Sequence, residues 1–122
     1  MAEITELLII EDDTLLRTNL SEQLTDQGYG VSSVESGERA LSIMKEKKFD
    51  IAILDLKLPK IDGFEVLKYI TSQFPNTKVI VLTAYADLRK AEKCKHLGAS
   101  DVIAKPYDLG DLFDAIQRLS PK

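Results

Sequence analysis

Five short segments with the length and polar boundaries of strands recur along the chain, at residues 6–10, 29–34, 50–55, 78–83 and 101–104. Helical spacing fills the gaps between them and follows the last. In the first gap Leu16, Leu20 and Leu24 recur every four residues as an inward stripe, with Asp13 placed to cap the amino end and Gly28 to stop the helix. The second helix, about residues 37–47, carries Ala40, Leu41 and Met44 on one face. Phe64, Leu67, Ile70 and Phe74 form the stripe of the third, which Pro75 and Asn76 end. The fourth, about residues 88–97, is thinner: Leu88, Ala91, Cys94 and Leu97 are its inward positions among many cations, and Gly98 stops it. The fifth, residues 109–119, has a clean apolar face of Leu109, Leu112, Phe113, Ile116 and Leu119.

Strict alternation of strand and helix implies parallel strands joined by right-handed crossovers, with helices on both faces of the sheet. Runs such as Ile51 to Leu54 are continuously apolar, as burial on both faces requires. The expected fold is therefore a doubly wound α/β domain with a five-stranded parallel sheet. Periodicity does not order the strands, but the flavodoxin-like order 2-1-3-4-5 suits the length and sets the first and third strands side by side at the switch point.

With 122 residues the chain has enough for one domain, residues 1–122, and too few for two ordinary ones. Hydrophobic residues at 44% and charged residues at 30% suit a soluble globular protein. A formal net charge of -4 gives no overall attraction for nucleic acid or an anionic membrane. No apolar stretch approaches the length of a membrane span and no secretory signal opens the sequence, so the expected location is the cytoplasm. Cys94 is the only cysteine, which excludes an internal disulfide, and it reads as a packing residue; His96, equally alone, reads as a surface residue near a helix end.

The chemistry gathers where the strands end. Leu7 to Ile10 runs into Glu11-Asp12-Asp13, Ile51 to Leu54 into Asp55, Val79 to Leu82 into Thr83, and Val102 to Ala104 into Lys105-Pro106. In a parallel sheet these groups converge on the carboxyl edge, where open α/β folds bind ligands. Packing Glu11, Asp12 and Asp55 together calls for a shared proton or a bound cation. Oxygen-only donors select a hard ion, and Mg2+ fits best because it accepts a few carboxylates and keeps waters for a phosphoryl group. Lys105 supplies the opposite charge, and Lys105-Pro106 is a candidate cis peptide that would aim its side chain inward. Thr83 offers a hydroxyl to a phosphate oxygen. Asp55 as nucleophile, with Lys105 and Thr83 on the equatorial oxygens, makes a small phosphoryl-transfer site.

In this combination the chain resembles a receiver domain of the bacterial response regulators, the phosphoacceptors of two-component signalling. The resemblance covers essentially the whole length and rests on Glu11-Asp12 after Leu7-Leu8-Ile9-Ile10, on Asp55 in Ile53-Leu54-Asp55-Leu56, on Pro59 and Gly63 four and eight residues later, on Thr83-Ala84 and on Lys105-Pro106. It implies that Asp55 accepts a phosphoryl group from a histidine kinase or phosphotransfer protein. Asp12 and Asp55 would bind Mg2+ directly, the backbone carbonyl of Lys57 would be a third ligand, and Glu11 would act through water. Thr83 and Lys105 would hold phosphoryl oxygens, and small Ala84 would leave the donor room. Asp13 is left as the helix cap.

Such a domain is a signalling switch and not a conventional enzyme, although it is capable of catalysing its own phosphorylation from small donors and its own dephosphorylation. Its output goes to a downstream protein or an effector domain absent from these residues, and a phosphorylation-dependent homodimer is compatible with it. Direct nucleic-acid or membrane binding is not expected. Receivers commonly carry Tyr or Phe three residues before the lysine, whereas here the position is Val102, with Tyr85 and Tyr107 as candidate substitutes. Two other readings compete. A haloacid-dehalogenase-like phosphatase needs a second Asp two residues after the nucleophile, where this chain has Lys57; a flavin-binding module needs a phosphate loop after the first strand, where this chain has three acids.

Overall fold

The computed structural model describes residues 4–57, 62–83 and 88–121. Strands and helices alternate as β1 (Glu6–Ile10), α1 (Thr14–Asp26), β2 (Gly30–Val34), α2 (Gly37–Glu46), β3 (Ile51–Asp55), α3 (Gly63–Gln73), β4 (Lys78–Thr83), α4 (Leu88–His96), β5 (Asp101–Ala104) and α5 (Leu109–Leu119). All strand pairs are parallel, in the order β2-β1-β3-β4-β5. The expected order is met, and each strand begins and ends within one residue of its expected place.

Successive strand side chains point to opposite faces, and this alternation divides the core in two. Leu8, Ile10, Ala52, Leu54, Val79 and Val81 face Ala40 and Met44 of α2, Val66, Leu67 and Ile70 of α3, and Cys94 of α4. Leu7, Ile9, Ile51, Ile53, Ile80 and Leu82 face Leu20 and Leu24 of α1 and Leu112, Ala115 and Ile116 of α5. Each fully buried Leu or Ile contributes about 1.5–3 kcal/mol of transfer free energy, so the central strands β1, β3 and β4 anchor the sheet. The outer strands depart from the expected continuous burial: β5 is half-buried throughout and β2 buries only Val34, because each has a neighbour on one side only.

Short polar side chains set the helix starts. Asp13, Ser36, Asp62 and Asp108 accept backbone N–H groups from the first turns of α1, α2, α3 and α5 at 2.9–3.2 Å. Gly28 and Gly98 follow α1 and α4 at φ 97° and 106°, a region glycine enters without steric cost. One inward position is corrected: Leu16 is 51% exposed, and its neighbour Leu15 68%. The first turn of α1 lies at the carboxyl edge, where Leu16 borders a cavity in place of the sheet. As expected, α4 is thinly attached, with Cys94 its one buried side chain among the described residues; the side chain of Leu88 lies outside them. Thr71 Oγ1 donates to the carbonyl of Leu97 at 2.8 Å, and Lys93 Nζ lies 4.2 Å from the Phe64 ring centroid, so α3 holds α4 from the side.

Gly63 opens α3 against the chain leaving β3. A Cβ there would meet the carbonyl oxygen of Leu56 and stand 2.6 Å from its Cα, with backbone on both sides of the clash. Gly63→Ala is therefore expected to lower unfolding stability by roughly 1–3 kcal/mol, the usual cost of overpacking, read as a reduced urea midpoint at unchanged slope. Gly110→Ala, where the nearest atom is Asp108 Oδ1 at 3.4 Å, is expected to leave the midpoint unchanged or raise it.

Candidate functional site

Register brings the acids together. Ile9 pairs with Ile53 and Ile10 with Leu54, so the next residues, Glu11 and Asp55, leave adjacent strands at the same level. Glu11, Asp55 and Lys105 also share the parity of residues that face α1 and α5. One carboxylate oxygen each from Glu11, Asp12 and Asp55 lies within 4.8 Å of the others. Glu11 and Asp55 are only 6% and 5% exposed, whereas Asp12 is open to solvent.

Each oxygen of Asp55 has a donor: the backbone N–H of Lys57 on Oδ1 at 2.9 Å and Lys105 Nζ on Oδ2 at 2.6 Å. Lys105 Nζ also stands 3.6 Å from Glu11 Oε1, while Glu11 Oε2 accepts the N–H of Asp13 at 3.1 Å. The backbone N–H of Lys105 donates to the carbonyl of Thr83 at 2.6 Å, which ties the ends of β4 and β5, and the Lys105-Pro106 peptide is cis as expected. Thr83 is buried at the end of β4. The structure thus gathers Glu11, Asp12, Asp55 and Lys105, with the Lys57 backbone against Asp55 and Thr83 at the adjoining strand end. Asp13 caps α1. Pro59, Ala84 and Tyr85 lie outside the described residues.

Three carboxylates facing one ammonium leave an excess of negative charge. Burial, followed by the hydrogen bond and charge of Asp55, pushes the Glu11 carboxyl up to about 7 from an ordinary value of 4.5. Burial pulls the Lys105 ammonium down, but the hydrogen bond and charge of Asp55 with the charge of Glu11 outweigh it and leave its pKa raised. The oxygens and their charge fit a hard divalent cation better than any soft metal, since neither Cys94 nor His96 belongs to the cluster.

Two features escaped the sequence. A cavity of about 390 Å3 runs from Glu11 and Lys105 along α1, lined further by Leu16, Asn19, Gln23 and Tyr107. Its walls come from segments far apart in the chain, and no local pattern announces it. Arg17 donates from Nη1 to the backbone carbonyls of Glu11 at 2.7 Å and Asp12 at 3.4 Å. By helical spacing it reads as an ordinary solvated position. The available signal was its charge, a cation near the amino end of a helix, where the macrodipole disfavours one. Val102, at the position that commonly holds an aromatic ring, packs into the core shared with Cys94 and Leu97, whereas Tyr107 packs on the opposite face of the sheet. Tyr107 therefore does not occupy the space that Val102 leaves.

The family model of the response regulator receiver domain matches residues 7–117. The sporulation initiation phosphotransferase F of Bacillus subtilis is 34% identical over 116 residues, covering 95% of this chain and 94% of that protein. The regulatory protein AtoC of Escherichia coli is 33% identical across 97% of this chain, which spans only 26% of AtoC. Among solved structures, response regulator protein TrrA of Thermotoga maritima, in complex with Mg(2+)-BeF, superposes with a TM-score of 0.86 at 29% identity, covering 95% of this chain and 99% of that one. With a match over nearly all of its sheet and helices, the chain belongs to the response regulator receiver domains, the phosphorylation-based signalling modules of two-component systems.

Proposed function

We propose that Asp55 is the phosphoacceptor of this receiver, that residues 1–122 act as one unit, and that a histidine kinase or phosphotransfer protein is its donor. The observation that carries the reading is the contact set of Asp55: a buried carboxylate beside two further carboxylates and bonded to Lys105 at 2.6 Å. A carboxylate oxygen of Asp55 attacks phosphorus in line with the scissile P–N bond, and the donor imidazole leaves as the acyl phosphate forms. Lys105 and the Thr83 hydroxyl take up charge on the phosphoryl oxygens. Glu11, Asp12, Asp55 and the Lys57 carbonyl are the groups that would hold Mg2+, which when bound supplies neutralisation of the phosphoryl oxygens. Exposed Leu16, which lines the cavity, and its exposed neighbour Leu15 give a donor an apolar surface on the first turn of α1.

The output we assign is a rearrangement of the α4–β5–α5 face, in response to the new anion, in the cytoplasm. No described helix is long and apolar enough to cross a membrane. Thin attachment of α4 suits such a change, since few buried contacts are lost when it moves. The recipient is a separate protein, an effector domain elsewhere in a longer chain, or a second receiver. TrrA was solved in complex with Mg(2+)-BeF, and the same probe serves here. With Mg2+ and beryllofluoride, backbone NMR shifts are expected to change in α4 and β5 as well as near Asp55; changes confined to the site would remove this output.

Incubation with Mg2+ and acetyl phosphate is expected to add one phosphoryl mass to the intact wild type and none to Asp55→Asn. An equal gain by both proteins would show that another residue is the acceptor.

Glu11 gives the site a pH signature. Because its folded-state pKa is raised, the folded protein retains a proton that the unfolded chain has released between 4.5 and about 7. Unfolding then releases protons, so the Glu11 contribution to stability falls as pH rises through that window and stays low above it. Without divalent metal, the urea midpoint of Glu11→Gln relative to wild type is expected to rise between about pH 5 and pH 8. Mg2+ is expected to raise the wild-type midpoint more at the higher pH, and a difference independent of pH would refute the assignment.

A further inference from the structure

We propose that Arg17 is a positioning residue for the cation site, acting through the backbone of Glu11 and Asp12; the proposal rests on the reading of that site as a divalent-cation site. Its Nη1 is 2.7 Å from the carbonyl oxygen of Glu11 and 3.4 Å from that of Asp12. Among the described residues no backbone N–H donates to either carbonyl, so the guanidinium is their one donor. The Glu11 N–H is held by the carbonyl of Val34 at 3.1 Å, and the Asp13 side chain caps α1. Arg17 therefore completes the fixation of a turn whose two ends are already secured.

Three features separate this contact from an incidental surface hydrogen bond. A cation near the amino end of α1 opposes the helix dipole, an unfavourable placement that a compensating contact offsets. The guanidinium makes no ion pair with the Glu11 or Asp12 carboxylate, although both belong to the segment it touches. Its donor goes to the main chain, and the carboxylate oxygens remain gathered with Asp55. Holding the carbonyls fixes the direction in which the side chains leave the backbone, which is the way outer partners orient metal ligands.

The experiment measures Mg2+ affinity by calorimetry, without phosphodonor, for wild type, Arg17→Met, Arg17→Lys and Arg39→Met. Arg39 is an exposed arginine paired with Glu35 at 3.6 Å, and it controls for the loss of one positive charge. Arg17→Met is expected to weaken Mg2+ binding about 10-fold, the scale found for outer partners of metal ligands, and Arg17→Lys to recover part of the loss. In metal-free protein the amide of Asp13, which donates to Glu11 Oε2, is expected to exchange faster in Arg17→Met while the urea midpoint changes little. Binding within twofold of wild type in Arg17→Met, or an equal loss in Arg39→Met, overturns the proposal. Should Arg17→Met fail to fold, Asp13 exchange in Arg17→Lys decides the matter, and an unchanged rate overturns it. A wild type that binds no Mg2+ would instead remove the cation reading itself, while the metal-free exchange still judges Arg17.

Discussion

Electrostatic repulsion among Glu11, Asp12 and Asp55 is the constraint to which the rest of the carboxyl edge answers. Register places the first and third strand ends level, and the pleat turns Glu11 and Asp55 toward the same face, so folding itself forces the like charges together. Burial first, and then the neighbouring Asp55, raise the pKa of Glu11. Lys105 offsets part of it through its contacts at 2.6 and 3.6 Å. A single ammonium leaves the cluster with net negative charge, and the attraction for a divalent cation follows from that imbalance.

The arrangement separates the groups that tolerate change from those that do not. Glu11 and Asp55 extend fully buried strands, whose hydrophobic packing fixes their backbones from both faces. Lys105 leaves the half-buried edge strand β5, and its side chain crosses to Asp55. The carboxylate of Asp55 is thus held on a rigid strand, and its counter-charge comes from a more exposed one.

Much of this was legible in the sequence because the signals were local. Ile51 to Leu54 followed by Asp55 announces both a buried strand and an acid at its end, β1 follows the same grammar into Glu11, and the apolar run of β4 ends in the hydroxyl of Thr83. Asp13 followed three residues later by Leu16 gave the start of α1 correctly. The same spacing misplaced Leu16 itself, since helical periodicity assumes a partner surface along the whole helix and α1 overhangs the sheet edge at its first turn. The charge of Arg17 near the amino end of a helix was a signal, but its partners could not be read, because they are main-chain oxygens and leave no trace in residue identity. The position of Val102 could be noticed from spacing, but only packing shows that the residue is absorbed into the core beside Cys94 while Tyr107 lies on the other face.

Among the described side chains α4 is anchored mainly by Cys94, flanked by contacts with Thr71 and Phe64, and this bears on how such a module diversifies. Folding places almost no demand on the outward residues of that helix, so mutations there are nearly free of a stability penalty. The outward surface of α4 can therefore vary in sequence while the strands carrying the acids keep their packing, so surface and site are free to evolve separately.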